Sequence, residues 1–224
     1  MQLGAAASTG VAQSQTPLLA GNLTLNGSLV TSGIATTDVA RRIQIASTGA
    51  DSAIVFTVVG TDRYGNAQSE TVTGVANGSP QYTARDYKTV TRIGVSGATA
   101  GAITAGTNTV GSSDWVIADL YATTWDLAGG IAGPAGTTYT LEETYDDPNK
   151  TGISLTPAPY QFSLEPASYS PPLVWAYPAI IAASGMSRFD FSNHPIFAHR
   201  LTINSGTGRV TMQTIQSGSP AWSR

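Results

Sequence analysis

From Arg42 to Thr107 the chain repeats one phrase: a short run in which apolar residues alternate with Thr, Ser or Gln, then a cluster of Gly, Asp and Asn. A period of two puts successive side chains on opposite faces of an extended strand, and the small polar clusters supply the turns. The strands expected on this basis are Arg42–Ala46, Ile54–Gly60, Gln68–Thr73, Thr89–Ser96 and Ala102–Thr107. Thr61-Asp-Arg-Tyr-Gly-Asn66 carries the residues a tight turn needs, because Gly and Asn accept positive φ and Asp bonds its own backbone. It is expected to close a hairpin between Phe56 and Thr71. Ser47–Ser52 and Gly97–Gly101 supply similar turns on either side.

The pattern predicts an all-β fold of tandem antiparallel β-sandwich units, Ig-like or jelly-roll-like, preceded by an extended N-terminal arm. Residues 1–36 form the expected arm: they hold no charged side chain, Asp38 being the first. Their one alternating stretch, Asn22–Val30, is expected to dock as an added strand on a neighbour through Leu23 and Leu25, or to be the first strand of this chain's own sheet. Residues 37–112 make the first unit and 113–224 the second. In the second, Thr137–Tyr145 reads as a strand. His199–Asn204 and Arg209–Gln216 read as a hairpin about Ser205–Gly208, with Leu201, Ile203, Val210 and Met212 on one face and Ile215 near it.

Residues 157–178 hold prolines at 157, 159, 166, 171, 172 and 178 among aromatic residues. Proline opposes helix interiors and central strands, so this stretch is expected to be a long surface excursion. Its prolines restrict the unbound chain and lower the ordering cost of presenting Tyr160, Phe162, Tyr169, Trp175 and Tyr177 to a partner. Those residues, with Leu23 and Leu25, are the candidate interface. Trp115, Trp125, Trp175 and Trp222 also suit core packing or a sugar-stacking platform.

Charged residues are only 11% of the chain, less than half of the roughly 25% usual in globular domains. Two readings of such a surface stand: partner subunits cover much of it, or a Thr-rich β-protein meets solvent with hydroxyls. A net charge of −3 does not suit neutralisation of phosphates, so no nucleic-acid partner is expected. The N-terminal thirty residues lack a basic start and an unbroken apolar core, and no window approaches the ~20 apolar residues of a membrane span, so no export signal and no membrane association are expected. The chain has no cysteine, which removes disulfides, thiolate metal sites and a cysteine nucleophile together.

No set of residues matches a known catalytic signature, and no enzyme activity, cofactor or metal is expected. His194 and His199 are five apart, a poor match to the four of helical zinc pairs. The acidic cluster Glu142, Glu143, Asp146 and Asp147 lacks calcium-loop spacing and is expected to be a solvated strand end and turn. No Gly-x-Ser-x-Gly elbow and no phosphate-binding Gly-Lys loop occurs.

The blocks IQIASTGADSAIVFTVVGTDRYGNAQSETVTG, YKTVTRIGVSG, TYTLEETYDDP and AHRLTINSGTGRVTMQTIQSG resemble β-rich structural proteins of tailed-bacteriophage virions, such as head-decoration or cement proteins. The resemblance spans about residues 40–218. It implies a non-enzymatic component, assembled into the virion in the host bacterial cytoplasm, whose partners are the major capsid protein or other virion proteins and further copies of itself. The alternative within the same class of assembly is a head–tail adaptor, tail or fibre component. A carbohydrate-binding module is the alternative from another class, resting on the aromatic residues and the acidic strand.

Overall fold

A computed structural model describes residues 1–74, 79–120, 126–145, 175–176, 180–191 and 196–216, of which 175–176 are described by backbone alone. The fold is all-β, with antiparallel strands and no helix among the described residues. It divides into two compact units, Leu3–Ser112 and Ser113–Arg224, the latter also taking in Met1–Gln2.

The first unit contains β1 (Ala12–Gln15), β2 (Gly21–Asn22), β3 (Val30–Thr31), β4 (Ile34–Ser47), β5 (Val55–Thr61), β6 (Ala67–Thr73), β7 (Gln81–Val95) and β8 (Ile103–Ser112). The order across the sheet is β8-β4-β7-β5-β6, with β1 on β8, β2 on β7 and β3 on β4. The expected hairpin is present, pairing Phe56 with Val72 and Thr57 with Thr71. Asp62 makes its turn by accepting from the amides of Tyr64 and Asn66 at 2.8 and 2.9 Å, while Gly65 takes φ +85°. Burial alternates along β5 as the sequence does: Phe56 and Val58 are buried between half-exposed Thr57 and Val59. They join Ile43, Ile45, Tyr87, Val90, Ile93 and Ile103 in one apolar cluster.

The two neighbouring turns are joined by a single carboxylate. Asp51 is buried, accepts from the amides of Ala100 and Gly101 at 2.5 and 3.3 Å, and accepts the Ser47 hydroxyl. Burial alone would raise its pKa, but these hydrogen bonds outweigh that effect and hold the carboxyl below the usual range.

The expected arm is instead part of this unit. Leu3, Val11, Ala12 and Leu23 are buried, and Leu25 packs against the same cluster. Ala7 exchanges hydrogen bonds with Thr107, and Gly106 lies so close that a Cβ there would meet the Ala7 oxygen at 1.9 Å. Arg41 donates to the Gly4 oxygen at 2.9 Å and to Asp38 at 2.5 Å. The segment has too little apolar mass to form a core alone, and it is ordered by lying across one that exists. Leu23, named as a candidate interface residue, is therefore a core residue.

The second unit contains β9 (Val116–Ile117), β10 (Leu127–Ala132), β11 (Thr138–Thr144), β12 (Trp175–Ala176), β13 (Met186–Asp190), β14 (Ala198–Ser205) and β15 (Thr211–Gln216). β11 pairs with β12 and β14, and β9 pairs with β14. β13, β10 and β15 form a separate three-stranded sheet in that order. The expected terminal hairpin is thus corrected: β14 and β15 lie in different sheets. Their connection bonds elsewhere, with the Gly208 amide on Thr137 and the Val210 amide on the Met1 oxygen, so it crosses between layers rather than folding back as a ladder. Ile215 is correspondingly exposed while Leu201, Ile203 and Val210 are buried.

Candidate functional site

β11 and β14 are buried along nearly their whole length on both faces. The strand TYTLEET alternates, but its polar face is covered too. Thr140, Glu142 and Thr144 are buried, as is Glu143, which corrects the expected solvated strand end; Asp146 and Asp147 lie outside the described residues. Glu142 stands opposite Arg200 in register, and the Arg200 Nε donates to its carboxylate at 2.6 Å. The guanidinium also lies 4.6 Å from the Trp115 ring centre, a cation–π contact that takes this indole away from any sugar platform.

On the opposite face of the pair, His199 is fully buried. Its Nε2 is 2.9 Å from the Thr214 hydroxyl on β15, its ring lies 5.7 and 6.0 Å from those of Phe189 and Phe191, and its Nδ1 has no hydrogen-bond partner among the described residues. Glu143 is its register partner on β11. Burial pushes the imidazole pKa from 6.5 down to about 4. The Thr–His distance is that of a nucleophile and its base, but an imidazole of that pKa is a weak base at neutral pH. The pair acts as a tie between the β11–β14 layer and β15. His194 lies outside the described residues.

The surfaces that meet solvent have a different chemistry. In the three-stranded sheet Leu127, Ile131 and Phe189 are buried on the inner face. The outer face has a floor of Ala128, Gly130 and Ala132 on β10, flanked in register by Asp190, Arg188 and Met186 on β13 and by Ile215, Gln213 and Thr211 on β15. The small floor and taller walls make a shallow groove between Met186, Arg188 and Gln213. Met186 is 89% exposed and Ile215 73%. In the first unit, Leu18 and Leu19 are 82% and 72% exposed on the loop between β1 and β2. That loop is held by the Pro17 oxygen, which accepts from the Thr99 amide at 2.9 Å.

Of the expected interface residues, Leu23 is core, Leu25 is half-buried against it, and Trp175 is described only by its backbone pairing with Glu143. Tyr160, Phe162, Tyr169 and Tyr177 lie outside the described residues. Sequence reasoning passed over Leu18–Leu19 and β13. The available signal for the first was an apolar pair directly after Pro17, where no alternation offers a buried face.

No family model matches the chain, and neither a curated protein nor a solved structure does.

Proposed function

We propose that this chain is a non-enzymatic structural component of a tailed-bacteriophage virion, foremost a decoration or cement protein that binds the assembled shell. The observation that carries the reading is the Leu18–Leu19 pair, two adjacent large apolar side chains presented outward on a loop tied to Thr99. Apolar side chains on a pre-ordered loop suit a protein partner, because burial removes them from water with little further ordering cost. The low overall charge supports the same reading, and the resemblance of the strand phrases supplies the class of assembly. A copy that binds only the assembled shell stabilises it by mass action, and a repeated lattice multiplies a weak contact through avidity. A head–tail adaptor, tail or fibre role draws on the same surfaces and differs in copy number.

The test is to locate the protein in purified particles by cryo-electron microscopy and to count its copies by quantitative mass spectrometry. Hundreds of copies on the shell are expected; a ring of a few copies transfers the reading to the neck or tail. Absence from particles overturns it.

A further inference from the structure

The loop that carries Leu18 and Leu19 is fastened by a chain of hydrogen bonds that ends on one buried carboxylate. The Thr99 amide donates to the Pro17 oxygen at 2.9 Å, and the Thr99 hydroxyl donates to the Gly101 oxygen at 2.8 Å. The next two amides, of Ala100 and Gly101, donate to Asp51 at 2.5 and 3.3 Å. Ser47 gives its hydroxyl to the same carboxylate and accepts from the Gly49 amide at 3.0 Å. The two turns also touch: a Cβ at Gly101 would meet the Gly49 nitrogen at 2.1 Å, and one at Gly49 would meet the Gly101 nitrogen at 2.5 Å. Thr48 and Ala102 bond each other at the base. Strand pairing thus fixes the base of the second turn, whereas Asp51 fixes its tip, the part that holds Pro17. Asp51 is buried, and residues 16–23, 47–54, 73–74 and 96–103 hold no other ionisable side chain.

We propose that Asp51 is the latch of the Leu18–Leu19 loop: its ionised carboxylate fixes Thr99–Gly101, Thr99 fixes Pro17, and loss of the charge releases both leucines from their outward setting. The groups aimed at the carboxylate are all donors, which suits an ionised acceptor and opposes a protonated one. The closed latch holds the carboxyl below its usual range, while an opened one titrates at the ordinary value. The latch is therefore shut above about pH 4 and weakens as the pH falls further, since only the opened loop then takes up the proton readily. As a control of binding the latch rests on the virion reading; as a clamp on the loop it does not.

Amide hydrogen exchange of the full chain, resolved by residue with NMR, tests the latch. Asp51→Asn keeps the size of the side chain but brings an NH2 group among donors. It is expected to speed exchange of the Thr99, Ala100 and Gly101 amides by about tenfold or more, with the amides of β5 and β7 unchanged. Thr99 is the telling position, because its amide bonds Pro17 and not Asp51. If Asp51→Asn does not fold, the wild type gives the second measurement: protection at Thr99 is expected to fall below about pH 4 before that of β5 and β7 does. Undiminished protection at Thr99 overturns the proposal. So does a loss confined to Ala100 and Gly101, which would show that Asp51 holds its own turn and no more. Particle occupancy is read separately. Unchanged occupancy of a folded, unlatched variant would remove the latch from binding, whereas absence of the wild type from particles would overturn the virion reading and leave the clamp standing.

Discussion

Each unit buries an arginine on a strand, and the two charges are balanced in different ways. Arg41 in β4 reaches the edge of its unit: it donates to the backbone oxygens of Asn108 and Gly4 and pairs with an Asp38 side chain that is 44% exposed. Arg200 in β14 stays inside, its partner Glu142 being 3% exposed. The carbonyls around Arg41 are neutral acceptors that the fold has to satisfy anyway, and Asp38 keeps much of its hydration. Glu142 gives up its water and depends on one cation. An ion pair taken wholly out of water adds little net stability, yet losing one partner leaves an uncompensated charge. The first unit therefore tolerates loss of its carboxylate, whereas the second depends on both members of its pair.

The sharpest way to break this comparison is to remove one charge from each pair. Arg200→Leu strands Glu142 and ends the stacking on Trp115, and it is expected to cost about 3–5 kcal/mol of folding stability. Asp38→Asn is expected to cost about 1 kcal/mol or less, because the exposed partner of a mixed pair is worth little. Glu142→Leu/Arg200→Leu removes both charges and is expected to recover most of the loss. Urea unfolding of the variants measures all three. Equal losses for Arg200→Leu and Asp38→Asn would show that burial of the partner does not set the cost.

A titration sharpens the same contrast, because His199 is buried with an Nδ1 that has no partner among the described residues, while the first unit holds no histidine. Its pKa is lowered by burial from 6.5 to about 4. The sign follows: above 6.5 the ring is neutral in folded and unfolded chains alike, and between 6.5 and 4 only the unfolded chain takes up the proton. Stability is expected to fall with pH across that window by about 1.4 kcal/mol per unit, about 3 kcal/mol in all. His199→Gln keeps a group able to bond Thr214 and does not titrate. Its unfolding free energy, followed from pH 7 to pH 4, is expected to decline less than that of the wild type by about that amount. Parallel curves would show that the imidazole is not held neutral in the fold.

The same difference explains what could be read from the residues. In β5 the alternation of Phe56 and Val58 with Thr57 and Val59 corresponds to alternating burial, because one face lies on the core and the other is half open. The Asp62–Asn66 turn was legible for a local reason, since its bonds run between residues four or fewer apart. In β11 the alternation is just as regular, yet Thr140 and Glu142 are covered, because periodicity separates two faces without saying what lies over each. β14 and β15 look like a hairpin since turn residues join them, and only the long-range bonds of Thr137 and Met1 reveal the crossing. β13 gave no signal. MSRFD is five residues with charges at the last two of its three outward positions, and its place at a sheet edge follows from its pairing with β10, which the sequence does not state.

The smallest expected effect on stability tests the assignment of two leucine sites within one segment. Leu23 is 4% exposed in the core of the first unit, and Leu18 and Leu19 project from a loop anchored at Thr99. Leu23→Ala is expected to cost about 2–5 kcal/mol, since it removes buried methyl groups and leaves a cavity. Leu18→Ser/Leu19→Ser is expected to change stability by less than about 0.5 kcal/mol, because neither side chain loses packing it possessed. Thermal unfolding reads both. The double variant is also expected to bind particles more weakly per folded molecule, as removal of a partner's apolar anchor should. A marked drop in its melting temperature would mean that these leucines serve the fold, and unchanged occupancy with unchanged stability would remove them from the interface.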